Sequence, residues 1–100
     1  MRIVAEGTLR SFALRHPAAK PALLHWRLVV KAASWQSTQE VLRSFSKAKV
    51  LNAERVRFEV AGGSFRLIAA FDFRLQIAFI KFVGTHAEYD AVDGLTVSLF

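Results

Sequence analysis

Hydrophobic residues in the first half of the chain recur every three or four positions, which is the spacing of an amphipathic helix. Residues 1–5 are too few to show this pattern, and we expect them to form a short first strand. Leu9, Phe12 and Ala13 then follow the helical spacing as far as His16-Pro17. Because the residue before a proline is disfavoured in the helical region, we expect the first helix to end there.

The same pattern predicts two further helices. Helical spacing returns over residues 22–33, and a proline just before this segment suits the start of a helix. The hydrophobic positions in it are Leu23, Trp26, Val30 and Ala33. We expect these first two helices to form a hairpin. Ser37-Thr38-Gln39-Glu40 has the hydroxyl residue and the glutamate of a capping box, which predicts a short third helix.

The second half of the chain changes to a two-residue period. Val56, Phe58 and Val60 alternate with charged residues, as expected for a half-buried antiparallel strand. Residues 61–64, Ala-Gly-Gly-Ser, predict a hairpin turn, because glycine adopts the positive φ angles that tight turns need. The apolar segments 65–73 and 75–83 predict two further strands.

These elements follow the order strand, two helices, short helix and antiparallel meander. They predict an α+β fold in which the N-terminal strand and helix hairpin pack on one face of an antiparallel β-meander sheet. The last two strands are apolar on both faces at their centres, so we expect the second face to be partly covered. A chain of 100 residues has the length of one domain, and we assign residues 1–100 to a single domain.

Composition limits the class of protein. A hydrophobic fraction of 53% is enough for a packed core, and the apolar runs are far shorter than a membrane span. We expect no secretory signal at the N-terminus, and there is no cysteine for a disulfide or a thiolate metal site. These features favour a cytoplasmic protein with no membrane partner.

Charge adds information about partners. The net charge is +6, which favours a polyanionic partner, either a nucleic acid or an acidic protein segment. The alternative is that the basic residues only keep the surface solvated. All fourteen lysine and arginine residues lie between Arg2 and Lys81, so the chain beyond position 81 contributes no base.

A cluster of polar side chains follows the last predicted strand, in the segment FVGTHAEYD at positions 82–90. We expect a turn from Thr85 to Asp90 that contains His86 and Tyr89. In a meander, the start of the middle strand meets the end of the last one. Arg66 and Lys81 are therefore expected beside this turn.

This set of residues suits RNA cleavage better than other chemistries. One histidine in cationic surroundings is a poor catalytic metal site, and no serine or cysteine is paired with it for acyl transfer. In RNA the substrate's own 2′-hydroxyl attacks the phosphodiester, so the protein has to transfer protons and stabilise charge. Histidine titrates near neutral pH and suits the first task, and arginine or lysine suits the second.

A structural interpretation of the same residues stays open. A histidine and a tyrosine three positions apart after a strand often form only a turn or a hydrogen-bonded pair. Arg66 would then cap the hairpin, and Lys81 would extend along the sheet edge. Arg55 and Arg57 would form a solvated face.

The chain resembles the HigB-type toxins of bacterial toxin–antitoxin pairs, which are small mRNA interferases of the RelE/ParE superfamily. The resemblance covers essentially the whole chain, through the N-terminal strand and helix hairpin and the segments VRFEVAGGSFRLIAAFDF and FIKFVGTHAEYD. Its most specific part is the Thr85-His86-x-x-Tyr89-Asp90 block, with a basic residue four positions before Thr85 and Arg66 just beyond the hairpin glycines. It implies a compact RelE-like domain with a basic groove across the sheet.

The resemblance also implies a function and a set of site residues. It implies cleavage of mRNA on the translating ribosome, without metal or cofactor, and inhibition by a HigA-type helix-turn-helix antitoxin. His86 would transfer protons, and Arg66 and Lys81 would hold the scissile phosphate. Tyr89 would stack on a base or share the proton relay, and Asp90 would orient His86 or a substrate hydroxyl. The expected RNA-binding residues are Lys47, Lys49, Arg55 and Arg57.

Two departures from the family pattern accompany this resemblance. The hairpin reads Gly62-Gly63 where relatives often carry Gly-Asn, and the tail AVDGLTVSLF has one acid, Asp93, and no base. We expect the tail to form a last strand or to pack on the antitoxin. The rival hypothesis is a non-catalytic toxin or RNA-binding module of the same fold. ParE-like relatives, which act on DNA gyrase, would lack the His86, Tyr89 and Asp90 set, so this set favours cleavage.

Overall fold

The computed structural model of the protein describes residues 1–99. Its elements, in chain order, are β1 (Arg2–Val4), α1 (Glu6–Arg15), a 3₁₀ turn (Pro17–Ala19), α2 (Lys20–Ala32), α3 (Thr38–Ser44), β2 (Ala48–Val50), β3 (Arg55–Val60), β4 (Phe65–Asp72), β5 (Ile77–Thr85) and α4 (His86–Asp90). The α+β class predicted from the sequence is confirmed.

Five strands form one sheet in the order β1-β5-β4-β3-β2. β3, β4 and β5 are antiparallel neighbours, which confirms the predicted meander. β1 pairs with β5 in parallel, so the sheet is mixed and not purely antiparallel. The sequence does not predict β2, because its residues Ala48–Val50 are too few to show a two-residue period.

The core lies between the helices and one face of the sheet. Val56, Phe58 and Val60 are all buried on this face, as their alternation predicts. Trp26 of α2 packs edge-on against Phe58, with ring centres 5.5 Å apart. Phe12 of α1 packs in the same way against Phe65, at 5.6 Å. Each of the two helices of the hairpin therefore has an aromatic contact with the sheet in the edge-to-face geometry that such rings prefer.

The ends of the helices follow the local signals in the sequence. α1 ends at Arg15, and the N–H of His16 donates to the carbonyl of Phe12 at 2.9 Å just before the proline. α3 begins after Ser37, whose hydroxyl accepts a hydrogen bond from the N–H of Glu40. Of the two hydrogen bonds of a capping box, α3 therefore has the one that the hydroxyl of the N-cap residue accepts.

Strand ends differ from the prediction in the third strand of the meander, which was expected at 75–83 and runs from Ile77 to Thr85. The chain turns over the preceding residues, where Asp72 Oδ1 accepts from the N–H of Leu75 and Gln76 has a φ of 58°. Such a turn keeps Leu75 out of the strand. The two extra residues at the other end of β5 reach the segment expected to be a turn.

The C-terminal tail forms turns and no strand between residues 91 and 99, so the expected last strand is wrong for this stretch. Position 100, also part of that expectation, lies outside the described residues. Between residues 1 and 99 we find no helix whose length and hydrophobicity would let it cross a membrane.

Candidate functional site

The segment expected to be a turn, Thr85 to Asp90, contains the short helix α4 instead. Thr85 Oγ1 accepts from the N–H of Glu88 at 3.1 Å, and Glu88 Oε1 accepts from the N–H of Thr85 at 2.8 Å. This is a complete capping box. The same pattern that predicts α3 would also have predicted α4, since a threonine is followed three positions later by a glutamate.

The capping box also sets the ionisation of Glu88. Hydrogen bonds from the backbone N–H and the side chain of Thr85 lower the pKa of Glu88 below its usual value, while burial opposes the shift. His16 and Arg15 lie close enough to add to the lowering. The carboxylate form is therefore the one that holds the start of α4.

Helix α4 is anchored on the β3–β4 hairpin. The N–H of His86 donates to the carbonyl of Ser64 at 3.1 Å. Gly84 pairs with Arg66 across the sheet, which brings the end of β5 beside the start of β4 as predicted. A Cβ atom at Gly84 would lie 2.6 Å from Cζ of Phe82, so only glycine lets the Phe82 ring fold across this point.

Tyr89 lies against two arginines on the sheet face opposite α1 and α2, which we call the open face. The guanidinium carbons of Arg57 and Arg66 are 5.9 Å and 6.0 Å from the centre of the Tyr89 ring. The ring centre of Phe82 is 6.2 Å away. These are cation–π distances, so Tyr89 is held on the open face by positive charge and by an aromatic neighbour. Sequence reasoning missed Phe82, whose alternation within β5 is hidden by a bulge.

Arg66 is buried, with 7% of its surface exposed. Its Nη1 donates to the carbonyls of Gly63 and Phe65, and its Nη2 lies 3.3 Å from a carboxylate oxygen of Glu59. The predicted cap on the hairpin is therefore present. The Nε atoms of Arg57 and Arg66 are buried and have no hydrogen-bond partner among the described residues. Burying a donor in this way is costly unless a ligand satisfies it.

His86 and Asp90 form an exposed pair on α4. Their Nδ1 and Oδ2 atoms are 3.0 Å apart, and the side chains are 54% and 62% exposed. When Nδ1 carries the proton, it donates to Asp90 and leaves Nε2 as the acceptor nitrogen of the ring. The i, i+4 spacing of this pair exists because the segment is a helix.

Lys81 lies on β5, four positions before Thr85. It falls at an irregularity between the pairs Ile68–Phe82 and Ala69–Ile80, where β5 has one residue more than β4. Its ammonium is 5.6 Å from the centre of the Phe79 ring. Within residues 1–99, no hydrogen bond or ion pair joins Lys81 to His86, Tyr89 or Asp90. The structure brings Arg66 to Tyr89, and the role of Lys81 at the site stays a prediction.

The remaining expected RNA-binding residues lie on or beside the open face. Lys49 pairs with Arg57 across the sheet, and directly paired residues point to the same face. The carbonyl of Lys47 accepts from the N–H of Glu59, which places Lys47 two pairs further along the same edge. With Arg55 and Arg66 these residues form a row of cations, which we call the basic strip: Lys47, Lys49, Arg55, Arg57 and Arg66.

Arg55 differs from the others because it holds the tail. Its Nη1 donates to the carbonyls of Gly94 and Val97, at 3.1 Å and 2.8 Å. A Cβ atom at Gly94 would lie 3.1 Å from Leu51 and 3.9 Å from the hydroxyl of Tyr89. The tail therefore crosses the open face beside Tyr89 and covers part of it, which the sequence does not reveal.

A metal ion would need a different cluster. Over the described part of the chain, no group of three or more histidine, cysteine, aspartate and glutamate side chains lies close enough to hold one.

Comparison with known families gives one match. The model of the HigB toxin family, described as the RelE-like toxic component of a toxin-antitoxin system, matches residues 19–92. No curated protein matches the chain. The family match contains β2 to β5 and α4, and so includes every residue of the basic strip and the His86–Asp90 pair.

Proposed function

Because the chain belongs to the HigB toxin family of RelE-like toxic components, we propose that it is an endoribonuclease that cleaves mRNA and so arrests translation and growth. The observation that carries this proposal is the exposed His86–Asp90 pair beside a tyrosine held by two arginines. Family membership gives the toxic role and an antitoxin partner. The geometry on the open face supports the choice of reaction.

The proposed reaction uses the substrate's own nucleophile. The 2′-oxygen of a ribose forms a bond to the adjacent phosphorus while the bond from phosphorus to the 5′-oxygen breaks. The 2′-hydroxyl loses its proton to a base, and the 5′-oxygen gains one as it leaves. The products are a 2′,3′-cyclic phosphate and a 5′-hydroxyl, and the step requires no metal, cofactor or external nucleophile.

His86 is the base in this proposal. Its hydrogen bond to Asp90 occupies Nδ1, so Nε2 is the nitrogen that accepts the 2′ proton. Asp90 is a positioning residue, because it selects the tautomer and holds the ring without touching the substrate. The neighbouring Tyr89 stacks on a base of the RNA or supplies the proton to the leaving oxygen, as the resemblance implies.

The arginines and lysines supply charge in this proposal. The guanidinium groups of Arg57 and Arg66 lie beside Tyr89, where they supply positive charge to a bound phosphate. Arg66 stabilises the doubly charged transition state, because it is fixed by the hairpin before substrate arrives. Lys81 and the basic strip hold the flanking phosphates. We further propose that the substrate is mRNA on the translating ribosome in the cytoplasm.

The proposal is tested by inducible expression in bacteria, with growth and mRNA integrity followed together. His86→Ala should slow cleavage by about 10²-fold, the usual effect of losing one acid–base group. His25→Ala is the matched control, since His25 is an exposed histidine on α2. Growth arrest with intact mRNA from the unchanged chain would overturn the proposal and favour a binding target such as gyrase. Equal cleavage by both variants would overturn the assignment of His86.

Ribosome dependence needs a separate comparison. The purified chain is incubated with one mRNA, either free or being translated in a reconstituted system. Cleavage confined to the translated mRNA is the expected result. Equal cleavage of the free mRNA would be consistent with ribonuclease activity but would contradict its dependence on the ribosome.

A further inference from the structure

An apolar groove lies between α1 and α2, on the side of the molecule that the ribonuclease proposal does not use. It encloses about 400 Å³. Leu9 and Leu23 form its buried floor, and Leu14 and Leu24 stand at its edge with 79% and 49% of their surface exposed. Leu28, one turn beyond Leu24 on α2, is 63% exposed. Leucines exposed together in this way mark an interaction surface more often than a free one.

The charged residues lining the groove are mostly basic. They are Arg10, Lys20, Arg27 and a single acid, Glu6. Glu6 is already paired, with Arg27 at 2.5 Å and with Lys31 at 3.2 Å. Arg10 and Lys20 form no ion pair within the described residues, and both are exposed. The groove therefore offers an apolar floor and two free cations.

This combination fits an amphipathic helix whose apolar face is flanked by carboxylates. Leucine side chains of such a helix would fill the groove, and its acids would reach Arg10 and Lys20. RNA fits poorly, because the exposed leucines offer its phosphates no contact. A second copy of this chain also fits poorly, since each copy carries a net charge of +6 and would bring the same cations together.

We propose that the antitoxin of this toxin docks an acidic amphipathic helix in the groove between α1 and α2. The family gives the partner but not this place. α1 lies before residue 19, where the family match begins, so half of the groove belongs to the part of the chain that the match does not cover. The antitoxin then holds the toxin from the helical side, opposite the sheet face that carries the basic strip.

The test compares paired substitutions in the whole chain, each checked for folding by circular dichroism. Leu14→Gln with Leu24→Gln removes the apolar edge of the groove, and Leu75→Gln is the control, because Leu75 is 54% exposed in the β4–β5 turn. Arg10→Glu with Lys20→Glu reverses the free cations, and Arg74→Glu in the same β4–β5 turn is the control. Each toxin is separated from the co-expressed antitoxin in denaturant, refolded and titrated with that antitoxin.

The leucine pair should weaken antitoxin binding by about tenfold or more. The arginine–lysine pair should slow association and flatten its salt dependence, and both controls should bind within about twofold of the unchanged chain. If the variant with both leucine substitutions fails to fold, the variant with Arg10→Glu and Lys20→Glu tests the proposal. Unchanged binding by the folded variants would overturn the proposal. The proposal would also be overturned if the free chain formed a dimer that the leucine substitutions dissociate. It would be overturned as well if the substitutions weakened RNA binding and left antitoxin binding unchanged. Binding is measured without RNA, so the result is independent of the ribonuclease proposal.

Discussion

Arg66 connects the stability of the hairpin to the charge of the candidate site. It is buried, donates to two carbonyls of the β3–β4 turn region and pairs with Glu59. We expect Arg66→Ala to lower the free energy of unfolding by roughly 1–3 kcal/mol, because these acceptors lose their partner. Urea unfolding measures this, with Arg74→Ala as an exposed control expected within about 0.5 kcal/mol of the unchanged chain. Equal stability of the two variants would contradict the structural role.

The sequence predicts which residues gather at the site better than it predicts which of them touch. The strand order places Arg66 beside the end of β5, as expected. The pairing of His86 with Asp90 and the contact of Tyr89 with Arg57 depend on α4 being helical, which fixes side-chain directions. The sequence also does not predict the irregularity in β5 opposite Ile68 and Ala69, because a single extra residue leaves no mark in the pattern.

At the scale of elements, helix α4 depends on one capping box, and this gives its stability a pH dependence. The pKa of Glu88 is lowered by the hydrogen bonds with Thr85. Because the pKa of Glu88 is lower in the folded state, its ionised carboxylate stabilises the fold at pH values above the usual pKa of 4.5. This contribution is lost as the pH falls through the lower pKa of the folded state. Glutamine keeps the hydrogen bond but does not titrate.

We therefore expect the free energy of unfolding of the unchanged chain to fall more steeply than that of Glu88→Gln between about pH 5 and pH 3. Urea unfolding across this range measures both proteins, and every other carboxylate is common to the two. Parallel profiles would show that the ionisation of Glu88 contributes nothing to stability. A gap that opens only above pH 5 would give the wrong sign for a lowered pKa.

The elements that the sequence predicts are those with a long or marked period. α1, α2 and β3 each show several repeats of their spacing, and α3 shows its cap. β2 has only Ala48–Val50, and its pairing with β3 comes from the tertiary fold and not from local preference. The predicted last strand is also absent between residues 91 and 99, where Arg55 donates to the carbonyls of Gly94 and Val97.

At the scale of the whole molecule, the two faces of the fold carry different chemistry. The helical side has an apolar groove with two free cations, and the open face has the basic strip and the exposed His86–Asp90 pair. The basic residues that give the net charge of +6 are therefore expected to have different roles on the two faces. We expect charge on the open face to determine RNA affinity and charge beside the groove to determine antitoxin association.

The salt dependence of RNA binding measures this division. Neutralising one phosphate contact on single-stranded RNA should reduce the slope of log K against log salt by about 0.7. Binding of a labelled single-stranded RNA is measured in the His86→Ala background, so that the probe is not cleaved. Lys49→Gln, on the open face beside Arg57, should flatten the slope by that amount. Lys20→Gln, beside the groove, should leave it unchanged. If both flatten the slope equally, RNA is bound by the overall charge of the molecule and the basic strip has no special part in it.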